Sequence, residues 1–161
     1  MKFDTYSIRQ GYDKKSCLVH ARCCYTPERM LATAQYLNIA GSDLFSGILM
    51  SQSFDEGKTW SEFRAQEGLS PIVIGEYITV GCDATPMYHK KTDTILLLGH
   101  TTEYTKGATS PSGRHRQTFY SVFDKSKNAF GEMKLLKMPD GYEQCGNGSG
   151  QSIELENGEK I

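Results

Sequence analysis

Eight residues constrain this 161-residue chain more than any others: Ser53-Phe54-Asp55-Glu56-Gly57-Lys58-Thr59-Trp60. The fixed pattern S-x-D-x-G-x-T-W suits a tight turn closing a β-hairpin. Ser53 and Asp55 can hydrogen-bond nearby backbone N–H groups, and Gly57 supplies a positive-φ position. Thr59 completes the turn, and Trp60 is a bulky anchor for it. The five fixed residues are therefore read as structural.

The rest of the chain agrees with a β protein. Helical periodicity is scarce, and the apolar segments are short and bounded by turn residues. Val19 to Tyr25, Arg29 to Leu37, Gly47 to Ser53, Ile72 to Val80, Thr94 to His100, Gln117 to Phe123 and Met133 to Met138 all read as strands. Strands without intervening helices give a sandwich, a barrel or a propeller.

An internal repeat discriminates among these. Turns at Thr26-Pro27-Glu28-Arg29, Lys91-Thr92-Asp93-Thr94 and Glu156-Asn157-Gly158-Glu159 each lead into a strand. Met30, Ile95 and Ile161 mark the recurrence, at intervals of 65 and 66 residues. Trp60 is echoed by Phe130, although Asp124 to Phe130 keeps only the aromatic anchor of the octet. A recurring four-stranded unit predicts an all-β propeller, with about two and a half blades in 161 residues. Blade one covers 16–75, blade two 76–140, and 141–161 begins a third. A two-sheet sandwich is the competing architecture. So few blades cannot close a ring, so the chain is expected to be the N-terminal part of a longer propeller domain.

The totals bound the function. Hydrophobic residues at 38% and charged residues at 23% describe a globular protein, and a net charge of −1 offers no footprint for nucleic acid. No apolar run approaches the ~18 residues that a membrane span needs. Five cysteines (Cys17, Cys23, Cys24, Cys82, Cys145) lack metal-ligand spacing and read as reduced, buried thiols, with Cys23 and Cys24 facing opposite sides of a strand. No metal or organic cofactor is expected, and the location expected is cytoplasmic.

Strand parity places the chemistry. The turn at Pro27-Glu28 and the octet fall on one rim. The long polar segments Asn38 to Ser46, Gly75 to Asp83, Thr101 to Arg116 and Gly141 to Gln151 then fall on the other. On that rim His20 and Arg22 share one strand face by simple alternation. Asp43 lies in a loop ten residues before Ser53, and Asp83 starts the first strand of blade two. Arg114-His115-Arg116 occupies another loop of the same rim. Arginines beside carboxylates suit an acidic or polyhydroxylated ligand, and an aspartate can serve as proton donor. Each residue also has a plainer reading: an ion pair for Arg22, a turn for Asp43 or Asp83, a core contact for His20. Gly146 to Gly150 is glycine-rich, but it neither precedes a helix nor ends in the Lys-Ser/Thr of a phosphate loop.

With the octet, three segments give the chain its resemblance to the sialidase (neuraminidase) superfamily, whose Asp-box blades form a six-bladed β-propeller. Thr26-Pro27-Glu28-Arg29-Met30-Leu31-Ala32-Thr33-Ala34-Gln35 resembles the first-blade hairpin. Cys82-Asp83-Ala84-Thr85-Pro86-Met87 with Thr94 to Leu98 resembles the D-P-[ST]-P strand and its hairpin. Gly146 to Gly158 resembles the G-P-G-x-G-I-Q-L-x-x-G segment. The resemblance implies exo-hydrolysis of a terminal sugar from a glycan. In the family an arginine triad holds the substrate carboxylate, an Asp is the acid/base, and a Tyr assisted by a Glu is the nucleophile. It implies that Asp43 is the catalytic acid/base and that Asp83 lines the substrate pocket; Arg22 and His20, placed on the same rim by strand alternation, are expected to bind the sugar's acidic or hydroxyl groups. Val19 stands at the arginine of the family's R-I-P motif, which leaves the sugar open between sialic acid and another glycan. A non-catalytic Asp-box propeller that binds carbohydrate or protein is the alternative.

Overall fold

In the computed structural model, which describes residues 7, 9–112, 116–146, 150 and 152–159, the backbone pairs almost entirely as antiparallel β-structure. Strands take 47% of the chain and no α-helix forms, so the all-β class holds. The first sheet runs β1 (Ser16–Tyr25), β2 (Met30–Asn38), β3 (Leu49–Ser53), β4 (Arg64–Ala65), in that order across the sheet. The second contains β5 (Ile72–Ile74), β6 (Tyr77–His89), β7 (Thr94–Thr105), β8 (Thr118–Asp124), β9 (Ala129–Phe130) and β10 (Lys134–Leu135). Its order is β10-β8-β7-β6-β5, with β9 beside β8, and the sheet curls like half a barrel.

The sequence expectations around Gly75 need correction, as does the start of the Thr101 to Arg116 segment, which is strand as far as Thr105. Ile72 to Val80 is not one strand, because Gly75 adopts φ +59 and a two-residue turn folds Ile74 back onto Tyr77. A glycine at the first position of such a turn matches the right-handed twist of the strands it joins. Gly75 to Asp83 is accordingly not a rim connection: from Tyr77 onward it is β6, and Asp83 lies within that strand. The strand continues because β7 runs on to Thr105, pairing Val80 with Thr102 and Tyr77 with Thr105.

The core lies between the two sheets. Leu31 and Met50 from the first, with Ile48 just before β3 and Leu69 in the short 3-10 turn after β4, pack against Ile95, Leu97, Phe119, Phe123 and Phe130 from the second. Along β7, Ile95 and Leu97 point inward while Thr94, Leu96 and Leu98 stay half-buried, the period-2 signature of a strand with one buried face. Burying a side chain such as Phe119 contributes about 1.5–3 kcal/mol. Two side chains of β2 stitch the sheets together: Thr33 Oγ1 donates to Ala84 O at 2.8 Å, and Gln35 Nε2 donates to Gly81 O at 2.7 Å.

The turns after β1, β3, β6 and β8 gather at one end and are densely hydrogen-bonded. In the octet, Ser53 Oγ accepts from Gly57 N at 2.9 Å and donates to Asp55 Oδ1 at 2.8 Å. Asp55 accepts from Thr59 N at 2.9 Å and from Thr59 Oγ1 at 2.6 Å, while Trp60 Nε1 donates to Gly57 O at 2.9 Å. Gly57 has φ +85, which a side chain would resist. Asp124 to Phe130 keeps more than the aromatic anchor: Asp124 Oδ1 accepts from Ser126 N and Lys127 N, because the capping carboxylate has moved to the end of β8. Arg29 ties these turns together. It donates to Gln52 Oε1 and Asn128 Oδ1, both at 2.8 Å, and lies over the rings of Phe54 and Phe123.

All five cysteines are free thiols, but not all are buried: Cys24 and Cys82 are, whereas Cys23 is exposed because strand alternation turns it away from Cys24. No helix among the described residues is long and apolar enough to cross a membrane.

Candidate functional site

At the other end, β1 and β6 carry the same irregularity. Between Val19 and Arg22, two residues of β1 oppose one of β2. Between Cys82 and Thr85, two residues of β6 oppose one of β7. Each bulge opens on a residue in the left-handed region, His20 at φ 57 and Asp83 at φ 50. Asp43, in the β2–β3 loop, has φ 52. Left-handed backbone costs a residue with a side chain about 1–2 kcal/mol, and it persists only where surrounding structure imposes it. A bulge re-aims the side chain it carries, so simple alternation does not describe His20 and Arg22.

The bulges turn these side chains toward one another. His20 Nδ1 lies 3.4 Å and an Arg22 guanidinium nitrogen 3.5 Å from the same oxygen, Asp83 Oδ1. Arg22 also donates to Ala21 O at 3.0 Å. The His20 ring tilts against Phe45, with centroids 4.8 Å apart, and its Nδ1 atom is buried without a hydrogen-bond partner. His20, Asp43 and Asp83 line a cavity of about 140 Å³ together with Cys82, His100 and Arg116. The structure therefore brings Asp43, His20 and Asp83 to one cavity, with Arg22 joined through Asp83. Ser53, Asp55, Gly57, Thr59 and Trp60 lie in the turn at the opposite end of β3.

Asp43 is exposed, and among the described residues its carboxylate accepts only a long contact, 3.5 Å from Ser42 Oγ. The turn duty in this loop falls to Asn38, whose Oδ1 accepts from Ala40 N at 2.9 Å. The loop is held from elsewhere: Ser42 N donates to Thr109 O at 2.8 Å, and the Tyr104 hydroxyl donates to Phe45 O at 2.9 Å.

Cys82 and His100 form a buried pair, Sγ to Nε2 at 3.1 Å. Burial pushes the thiol up to about 12, and the charges of Asp83 and Asp43 push the same way against Arg116. Cys82 is thus a neutral thiol hydrogen-bonded to His100, not an activated nucleophile. Among the described residues no group of three or more His, Cys, Asp or Glu side chains is placed to hold a metal ion.

Sequence reasoning did not single out Cys82 or His100 as cavity residues, whereas Arg116, placed on this rim with Arg114 and His115, does line the cavity. His100 was findable, since it pairs with Cys82 just as Gln35 pairs with Val19 in the first repeat. Arg114 and His115, and residues 147–149 of the glycine-rich segment, lie outside the described residues. Searches of family models, curated proteins and solved structures find no match to this chain, so its function has to be argued from the site itself.

Proposed function

We propose that this chain acts as a sialidase-like exo-glycosidase that removes a terminal, possibly sialic, sugar, with its strands arranged as blades of a propeller. The repeat of packing faces supports the propeller. Leu31 and Thr33 of β2, which face the second sheet, hold the register positions that Leu96 and Leu98 hold in β7. Leu96 and Leu98 present a half-buried face of the second sheet, as a further blade would require. The segment 152–159 reaches that sheet's turn: Glu154 accepts from Lys90 N at 2.9 Å, and the His89 ring meets Gly158 O at 2.7 Å.

The observation that carries the activity is the convergence of Asp43, Asp83 and His20 on one cavity, at the end opposite the octet. In this reading Asp43 protonates the departing glycosidic oxygen. Arg22 stays fixed by Asp83, and with His20 it binds polar groups of the sugar. The buried His20 Nδ1 gains a partner there.

Asp43→Ala tests the acid role in the full chain. A missing general acid should lower turnover of an aryl glycoside with a poor leaving group by about 10²–10⁴-fold. A nitrophenyl glycoside, which leaves without help, should lose far less. Equal losses on both substrates would overturn the role.

A non-catalytic carbohydrate-binding propeller is the second reading, and one observation favours it. Among the described residues no tyrosine lines the cavity, and nearby Tyr104 is unsuited to be a nucleophile. Burial raises its hydroxyl to about 12, and that hydroxyl is held by Phe45. Sugar binding without turnover of any aryl glycoside would decide for this reading.

A further inference from the structure

We infer that β5 (Ile72–Ile74) pairs edge to edge with β5 of a second copy of this chain, joining two sheets across a two-fold axis. The contact is independent of the glycan reading. β5 is the last strand of its sheet, and no strand among the described residues pairs with its outer side. Ile72, Val73 and Ile74 are 45%, 55% and 72% exposed, and Tyr77 beside them is 41% exposed.

An open edge invites another strand, and proteins commonly block it with charge or a bulge. The other three sheet edges carry such a block. β4 presents Arg64 and β10 presents Lys134, both exposed, and β1 is interrupted by its bulge. β5 alone offers three β-branched apolar residues and no charge. A lipid surface could cover these side chains, but it would leave the N–H and C=O groups of the edge unsatisfied.

Backbone direction fixes the register. Lys106 N donates to Glu76 O at 2.8 Å, so the polar groups of the next residue, Tyr77, face β5 and meet Ile74. Alternation along the ladder then points the N–H and C=O of Val73 outward. In antiparallel pairing about Val73, each Val73 N–H donates to the C=O of the same residue in the second copy. Ile72 falls opposite Ile74 of the other chain, at the close spacing of a pair without hydrogen bonds. Ile72, Ile74 and Tyr77 share one face, so four isoleucines gather there, flanked by two tyrosines.

The length of the edge selects a second copy over a longer peptide. Pro71 lacks an N–H and lies against Gly47, and the chain turns at Gly75. Only three residues are offered, and an identical strand with identical stops matches them. Two-fold pairing uses both edges, so assembly closes at the dimer. Three residues a side are few beside the ~20–30 of a standard interface, so the dimer should be weak and concentration-dependent.

Sedimentation velocity of the full chain from micromolar to millimolar concentration, with amide hydrogen exchange alongside, tests the contact. Wild type should pass from monomer to dimer, and the Val73 amide should exchange more slowly as it does. Val73→Lys, at an exposed position, sets two like charges on the two-fold axis and should weaken the dimer by about 100-fold or more. Val73→Pro keeps the edge apolar but removes an N–H that β6 does not use, and should weaken the dimer comparably. Val73→Thr should leave it unchanged.

A Val73→Pro dimer as tight as wild type would reduce the contact to apolar adhesion and overturn strand pairing. Wild type that stays monomeric throughout, or that grows beyond a dimer, would overturn the two-fold contact. So would a Val73 amide equally protected in the monomer, since another part of the chain would then cover the edge.

Discussion

The two ends of the sheets use left-handed residues for opposite purposes. At the turn end, Glu56, Gly57, Asp93 and Asn128 have positive φ because tight turns between strands demand it. Their surroundings are saturated with hydrogen bonds, as the octet shows. At the cavity end, His20 and Asp83 have positive φ inside strands, where no turn calls for it, and the buried Nδ1 of His20 has no hydrogen-bond partner. One end spends its polar groups on its own backbone, and the other leaves strain and an unmet atom beside a cavity. That asymmetry is what a stability element and a binding site on one scaffold should look like.

The comparison breaks first at Arg29. Its side chain is 15% exposed, and it serves turns from both sheets at once. Arg29→Ala strands the oxygens of Gln52 and Asn128 and removes the cation from between two rings. The expected loss is about 2–4 kcal/mol, read as a lower urea midpoint. Arg29→Lys should recover only part of it, since one ammonium cannot reproduce the guanidinium fork. A loss near zero would mean that the turn end is not tied together through this side chain.

At the cavity end the sign should reverse. Asp43 holds φ 52 with little to hold it there from its own side chain. Asp43→Gly relieves that backbone and should raise stability by about 0.5–1 kcal/mol while abolishing any acid role. A midpoint that falls would show the loop depending on Asp43 for its shape, returning the residue to ordinary turn duty.

The two ends also differed in how legible they were. The octet, the hairpin turns and most strands could be read from the sequence, because local hydrogen bonding and alternation fix them. Asp43, Asp83, His20 and Arg22 could be assigned to one end by counting strand parity. The bulges could not, since an extra residue in a strand leaves no mark on composition and overrides the two-residue period. Nor could the length of β7, whose polar stretch Thr101–Thr102–Glu103 looks like a loop but is buried in the sheet. Arg116 could be assigned to the cavity rim, but its contact with Gly146, thirty residues further along the chain, could not be read from the sequence.

The finest test of the comparison is pH. The side-chain hydroxyl of Thr59, then its backbone N–H, then Ser53 hold the Asp55 carboxyl at about 2, below its ordinary value of 3.8. Because the folded value is the lower one, the contribution of Asp55 is fully present above about pH 4 and disappears as pH falls through about 2. Asp124 and Asp93 are lowered too, by Ser126 and by Lys125 respectively, so wild type alone cannot isolate Asp55. Asp55→Asn can, because it keeps the shape but cannot ionise. The stability gap between wild type and Asp55→Asn should be constant from pH 7 to about 5 and close toward pH 2. A gap that stays open at pH 2 would show that the octet depends on the shape of this side chain and not on its charge.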